Sequence, residues 1–283
     1  MSETFKCFVS QEESLRLMKE MGFDVADITL FKTGNVREPD PDIFNGDYLL
    51  RARQIREYAD EIGMPIVQSH APFPVHIDGD DEYNNYIMDI LIKCIEVCEI
   101  LGVENLVIHP WNNWNYKENA VFFRQLLPYA KKHHVVICIE NMWNWDSKEN
   151  HATSAACSSP EDFLKHIEEV NDEYLQACVD VGHANMMSKA EENTTPSRMV
   201  RVLNKHIKCF HIHDNDGIHD SHQTPFTMSL DWDDLAKAIK DINYQGDLII
   251  EIGNIKDASF EQVLERNRLQ VEAGRKLIKL IQK

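Results

Sequence analysis

The chain has 283 residues, with 47 acidic against 29 basic side chains and a formal net charge of −18. That balance argues against a surface built to hold nucleic acid or an anionic membrane non-specifically. The seven cysteines are scattered through apolar runs without C-x-x-C spacing, so neither a disulfide framework nor a zinc knuckle is expected and a reducing cytoplasm is the default compartment.

No apolar run approaches membrane length. The stretch from Met1 to Lys6 has neither a basic nor a long apolar segment, so no signal peptide is expected. Along the chain, short apolar runs alternate eight times with longer amphipathic stretches. The runs predict strands over residues 5–9, 25–30, 66–70, 105–109, 135–140, 175–180, 207–212 and 247–251. Ser10 with Glu13, Ser159-Pro160 with Asp162, and Thr195-Pro196 read as helix starts.

The stretch 82–101 carries Tyr86, Ile87, Ile90, Leu91, Cys94, Val97, Cys98 and Leu101 on one helical face, the spacing that packs a helix on a sheet. Cys94 and Cys98 read as small buried apolar residues. Near-continuous β-branched runs such as 135–139 suit parallel strands covered on both sides. Eight such units predict one domain over residues 1–283, a (β/α)8 TIM barrel of α/β class. The alternative, a doubly wound open sheet, lacks a Gly-x-Gly-x-x-Gly after the first strand.

In a barrel the loops after the strands gather at one face, where chemistry is placed. His70, His109, Glu140, Asp180, His211 and Glu251 all fall at C-terminal ends of predicted strands. An acid in that position is hard to hydrate fully and needs a compensating charge. No Lys or Arg flanks the three acids, so a divalent cation is the simplest partner. His213 competes with His211 as a ligand, because alternation along a strand puts both on one side.

Four of the five tryptophans, Trp111, Trp114, Trp143 and Trp145, lie in two asparagine-rich loops after middle strands. Flat rings beside amides suit a sugar, with Trp111 and Trp143 as stacking surfaces; a lid over the barrel mouth is the equal alternative. Residues 213–222 are dense in ligand-type side chains, and no Lys or Arg occurs from 209 through 236. His133, His134, His151, His166 and His206 read as surface residues.

In order from strand three to strand eight, the chain carries Ser69-His70-Ala71-Pro72, Ile108-His109-Pro110, Ile139-Glu140-Asn141, Val179-Asp180-Val181-Gly182-His183-Ala184, Phe210-His211-Ile212-His213-Asp214, Asp220-Ser221-His222 and Ile250-Glu251. This ordered set resembles the xylose-isomerase-like barrels, a group that includes sugar epimerases, inosose dehydratase and endonuclease IV. The resemblance implies a metal on Glu140, Asp180, His211 and Glu251. It also implies that His70 and His109 with Glu140, and His183 with Asp220 and His222, either hold further metals, as in endonuclease IV, or bind substrate, as in the sugar enzymes. One, two or three metals fit; manganese or zinc is expected first, magnesium or cobalt next.

The chain departs from the group after His222, where Pro225-Phe226-Thr227-Met228 stands in place of a Pro-Gly-x-Gly turn. Without the glycines the loop loses the backbone freedom to wrap a phosphate. A neutral sugar or cyclitol is therefore expected, with Lys32, Arg37 and Lys256 as the remaining cations.

The leading expectation is a sugar isomerase or epimerase acting on a ketose through an enediolate. Glu140 and Glu251 serve as base and acid from opposite faces, and His183 binds a substrate oxygen. An inosose-type dehydratase uses nearly the same residues. An endonuclease-IV-like phosphodiesterase ranks lower, for want of a basic track. A non-catalytic sugar- or metal-holding barrel is the third class, and the oligomeric state is left open.

Overall fold

The computed structural model describes residues 3–190, 194–251, 253 and 257–283. Lys256, one of the expected cations, and Met1 and Ser2 of the N-terminal stretch lie outside the described residues. Seven strands form one sheet in chain order: β1 Ala26–Thr29, β2 Ile66–His70, β3 Asn105–Ile108, β4 Val136–Glu140, β5 Leu175–Asp180, β6 Ile207–Ile212 and β7 Ile249–Ile250. Every neighbouring pair is parallel, and the helices between them cover the outside, which gives the nearly closed barrel of the TIM class.

Side-chain alternation divides the apolar residues between two sides of this sheet. Ile108, Ile139, Val179 and Phe210 join the helices in the main core. Val107, Cys138, Cys178 and Cys209 pack together as a separate cluster. The helix caps read from the sequence are formed: Ser10, Ser159 and Thr195 each accept from a backbone N–H three residues on, at 3.3 Å. The helix Asp81–Leu101 buries Ile87, Ile90, Leu91, Cys94, Val97, Cys98 and Leu101 as expected, while Tyr86 faces outward.

The predicted first strand is not formed. Glu3–Lys6 is a single helical turn. Phe5 is fully buried with its ring 6.5 Å from that of Phe260, and Lys6 makes a buried ion pair with Asp40; these contacts hold the segment outside the sheet. Where an eighth strand would close the barrel, between β1 and β7, a cavity of about 500 Å³ is lined by Met18, Asp27, Ile212, Ile250, Val271 and Leu277.

Two small antiparallel hairpins were not foreseen. Phe31–Lys32 pairs with Asn35–Pro39, and Asn144–Asp146 pairs with His151–Thr153. The second converts part of a predicted tryptophan loop into a structured flap. His166 is another correction, since it is buried rather than on the surface: its Nδ1–H donates to the Asp162 carbonyl at 2.9 Å and its Nε2 accepts from Asn119 at 3.3 Å. His133 is also largely buried, 2.7 Å from Glu99.

The loop after β6 explains how the chain manages without the expected glycines. Asp214 is fully buried, and its carboxylate accepts N–H groups from Asn215, Thr227, Met228, Leu230 and the Trp232 indole at 2.9–3.1 Å. Phe226 keeps a left-handed backbone, φ 72°, a conformation that costs a side chain about 1–2 kcal/mol. Its ring recovers contact on Trp232, centroids 4.7 Å apart, and under the Lys276 ammonium at 3.8 Å. Asp214→Asn places amide hydrogens against these donors, so urea unfolding should show a loss of about 3 kcal/mol. A loss below about 1 kcal/mol would show that the loop holds itself.

Candidate metal centre

The barrel strands bring the predicted ligands to one end. His70, Glu140 and Asp180 are the last residues of β2, β4 and β5; His109 and Glu251 directly follow β3 and β7; His211 lies one residue before the end of β6, in register with Asp180. His211 Nδ1 stands 3.2 Å from Glu140 Oε2, 3.2 Å from Glu251 Oε2 and 3.8 Å from Asp180 Oδ2. Ligand atoms of Glu140, Asp180, His211 and Glu251 all fall within 4.8 Å of one another.

Whether a cation fits is answered by the hydrogen bonding. Glu140 Oε2, Glu251 Oε2 and His211 Nδ1 are buried and each lacks a hydrogen-bond partner. Buried polar atoms are almost always satisfied, and three unpartnered ones on oxygen and imidazole donors that converge on one point match the donor set of a divalent ion. His70 Nε2 and His109 Nε2 reach the same Glu140 oxygen at 3.5 and 3.3 Å, so this carboxylate is shared between two sets of histidines.

A second group stands beside the first. His183, His213, Asp220 and His222 also place ligand atoms within 4.8 Å of one another. His183 and His222 approach Asp220 Oδ2 at 3.4 and 3.2 Å. Asp220 Oδ1, His213 Nδ1 and His222 Nδ1 are buried without partners. His211 stands in the first group, and His213 in this second one. Its Nε2 lies 3.0 Å from Asp180 Oδ1, and its ring stacks on His222 with centroids 4.0 Å apart. Gly182 makes room for it, because a Cβ there would stand 1.9 Å from the His213 ring.

Asn141, which the sequence shows only as part of the Ile139-Glu140-Asn141 motif, has a structural role of its own. It bridges β4 and β5, donating to the Asp180 carbonyl at 2.9 Å while its Oδ1 accepts from the Asp180 N–H at 2.8 Å. Its carbonyl also accepts from His183 Nδ1–H at 2.9 Å, which leaves Nε2 toward Asp220. Trp143 stands edge-on to His183 at 6.3 Å. Trp111 and Trp114 instead flank His76, at 5.6 and 4.5 Å, and the Trp111 indole N–H is buried without a partner. Lys32, an expected cation, is paired with Glu38 at 2.6 Å.

Charge within the site is compensated only by imidazoles among the described residues. Burial pushes the Glu140 carboxyl up, but His211 and His109 hold it well below the usual carboxylate range. Glu251 is likewise held low by His211 and His222 against burial. In return, and again against burial, Glu251 and Glu140 hold His211 well above the ordinary histidine value, and Glu251 and Asp220 raise His222 to about 9. A bound cation would take over the role of these protons.

The model of the xylose isomerase-like TIM barrel family matches residues 15–279. Among curated relatives, an uncharacterized protein, MJ1311, of Methanocaldococcus jannaschii is 24% identical over 245 residues, covering 81% of this chain and 79% of that protein. A probable endonuclease 4 of Mycoplasma mycoides subsp. mycoides SC is 26% identical over 165 residues, 54% of each chain. Two solved structures share the fold. A D-tagatose 3-epimerase-like protein has a TM-score of 0.72 and 21% identity, covering 95% of this chain and 93% of its own. The IOLI protein with a binding zinc atom has a TM-score of 0.73 and 17% identity, covering 99% and 95%. With nearly its whole length matched, the chain belongs to the xylose isomerase-like TIM barrel family.

Proposed function

We propose that this protein is a divalent-metal-dependent epimerase or isomerase of a neutral ketose or related sugar. The observation that carries the reading is the convergence of the buried, unpartnered Glu140 Oε2, Glu251 Oε2 and His211 Nδ1. Glu140, Asp180, His211 and Glu251 would hold the ion, with manganese or zinc the leading choices. When bound, it would polarise the substrate carbonyl and acidify the neighbouring C–H bond.

The remaining work falls to the chain's own side chains. Glu140 on β4 and Glu251 after β7 come from separated strands, so their carboxylates can address a substrate carbon from two sides, one removing a proton and the other returning one. His183, with Nδ1 committed to the Asn141 carbonyl, offers Nε2 to a substrate oxygen. Trp143 supplies an apolar edge beside it, and His70 and His109 stand ready for a further hydroxyl. The epimerase-like structural neighbour agrees with this class of reaction.

A neutral substrate is favoured by the absence of Lys and Arg from residues 209–236. Arg266 does reach this region, but it donates to the backbone carbonyls of Gly253 and His222 at 2.6 and 2.7 Å. A second reading, a phosphodiesterase, is favoured by one observation: the group of His183, His213, Asp220 and His222 is suited to a second metal. The net charge of −18 weighs against it.

Three outcomes follow. Glu140→Gln and Glu251→Gln each lower kcat by at least about a hundredfold while some metal is retained; near-wild-type turnover in either refutes the two-glutamate mechanism. In heavy water the product carries solvent deuterium on the carbon that changes, and product without deuterium from an active enzyme indicates a direct hydride shift instead. In matched kinetics free ketoses have the higher kcat/KM, and a strong preference for the phosphorylated forms would overturn the neutral-substrate reading.

A further inference from the structure

We infer that Gln68, anchored by Asp27, is a positioning residue that fixes which nitrogen of His211 faces the metal-binding acids. The inference rests on His211 being a ligand, as read above. Gln68 on β2 is buried, and one end of its amide lies 3.0 Å from His211 Nε2 while Nδ1 faces Glu140 and Glu251.

The hydrogen-bonding groups in this corner are mismatched in a particular way. With Glu140 and Glu251 both 3.2 Å from Nδ1, that nitrogen must hold either a proton or a cation. If a cation sits there, the ring's remaining proton is on Nε2, and it needs an acceptor. The amide nitrogen of Gln68 is the group set against Nε2, donor against donor. The amide oxygen, Oε1, is buried without a partner, and so are both carboxylate oxygens of Asp27.

Asp27 on β1 is the register partner of Gln68, so the two side chains leave the sheet on the same face. Asp27 is buried, and that burial pushes its carboxyl above the usual carboxylate range. The two ends of a glutamine amide are nearly the same in shape, and the surrounding donors and acceptors decide which faces which. Half a turn about the last side-chain bond removes both conflicts. Oε1 then accepts Nε2–H of His211, and the NH2 group donates to the Asp27 carboxylate. The chain Asp27–Gln68–His211 leaves the Nδ1 lone pair for the ion. Nothing in the metal centre itself assigns a role to either residue.

Zinc affinity by chelator competition on the full chain tests this, together with nitrogen-15 spectra of the histidine side chains in the zinc-loaded protein. Gln68→Leu removes the acceptor and should weaken zinc by about 10–100-fold. The exchanged pair Asp27→Asn with Gln68→Glu reverses the bond between the two residues, with position 27 now donating and position 68 accepting, but keeps an acceptor against His211 Nε2–H and the pair's total charge, so it should bind zinc within about threefold of wild type. The wild type and the exchanged pair should both show a protected His211 Nε2–H, lost in Gln68→Leu. Zinc binding by Gln68→Leu equal to wild type overturns the proposal, as does an exchanged pair as weak as Gln68→Leu. Failure of the wild type to take up zinc removes the metal centre itself, a separate result from uptake that ignores residue 68.

Discussion

Glu140 and Glu251 meet at one histidine inside the site, and their shared negative charge there must be offset. Each aims an unpartnered oxygen at the same nitrogen of His211, 3.2 Å away, with Asp180 close behind. Unit charges about 4 Å apart interact by about 4 kcal/mol at the effective dielectric of a protein site. Two like charges this close, and out of water, require positive charge between or beside them. The described residues supply imidazoles and no Lys or Arg, so the site has protons to offer in the absence of an ion and ligands to offer in its presence.

The scaffold makes this arrangement rigid. Parallel strands place one inward side chain per layer, so register pairs such as His211 with Asp180 come together without a loop rearrangement. Around them, Asn141 ties β4 to β5 at Asp180, and Asp214 gathers the N–H groups of the loop that follows β6. Gly182 admits the His213 ring, which in turn faces Asp180. Stability and site geometry are coupled here, since the hydrogen bonds that hold the loop after β6 also hold the approach to the second histidine group.

Much of this was legible in the sequence. The runs over residues 66–70, 175–180 and 207–212 match the observed strands residue for residue, and all but one position in each is buried. The clustering of the candidate ligands at one end of the barrel was legible because a titratable side chain at the end of such a run stands out. The segment 5–9 was not: its apolar composition suits a strand, but burial of Phe5 on Phe260 and pairing of Lys6 with Asp40 are tertiary contacts, invisible to local pattern. The roles of Gln68 and Asn141 and the burial of His166, which reads as a surface residue, are hidden for a similar reason, as a buried amide or imidazole gives no signal until its partners are known. The loop after His222 lacks the glycines, yet the backbone at Phe226 keeps the left-handed turn that a glycine would have made easy.

In the proposed function, Glu140, Asp180, His211 and Glu251 together would hold one divalent ion. Anomalous scattering recorded at the zinc or manganese edge from a metal-soaked crystal tests it most directly. The expected result is a peak enclosed by those four side chains, on the Nδ1 side of His211. An empty centre, or a peak held by His183, His213, Asp220 and His222 alone, would contradict it.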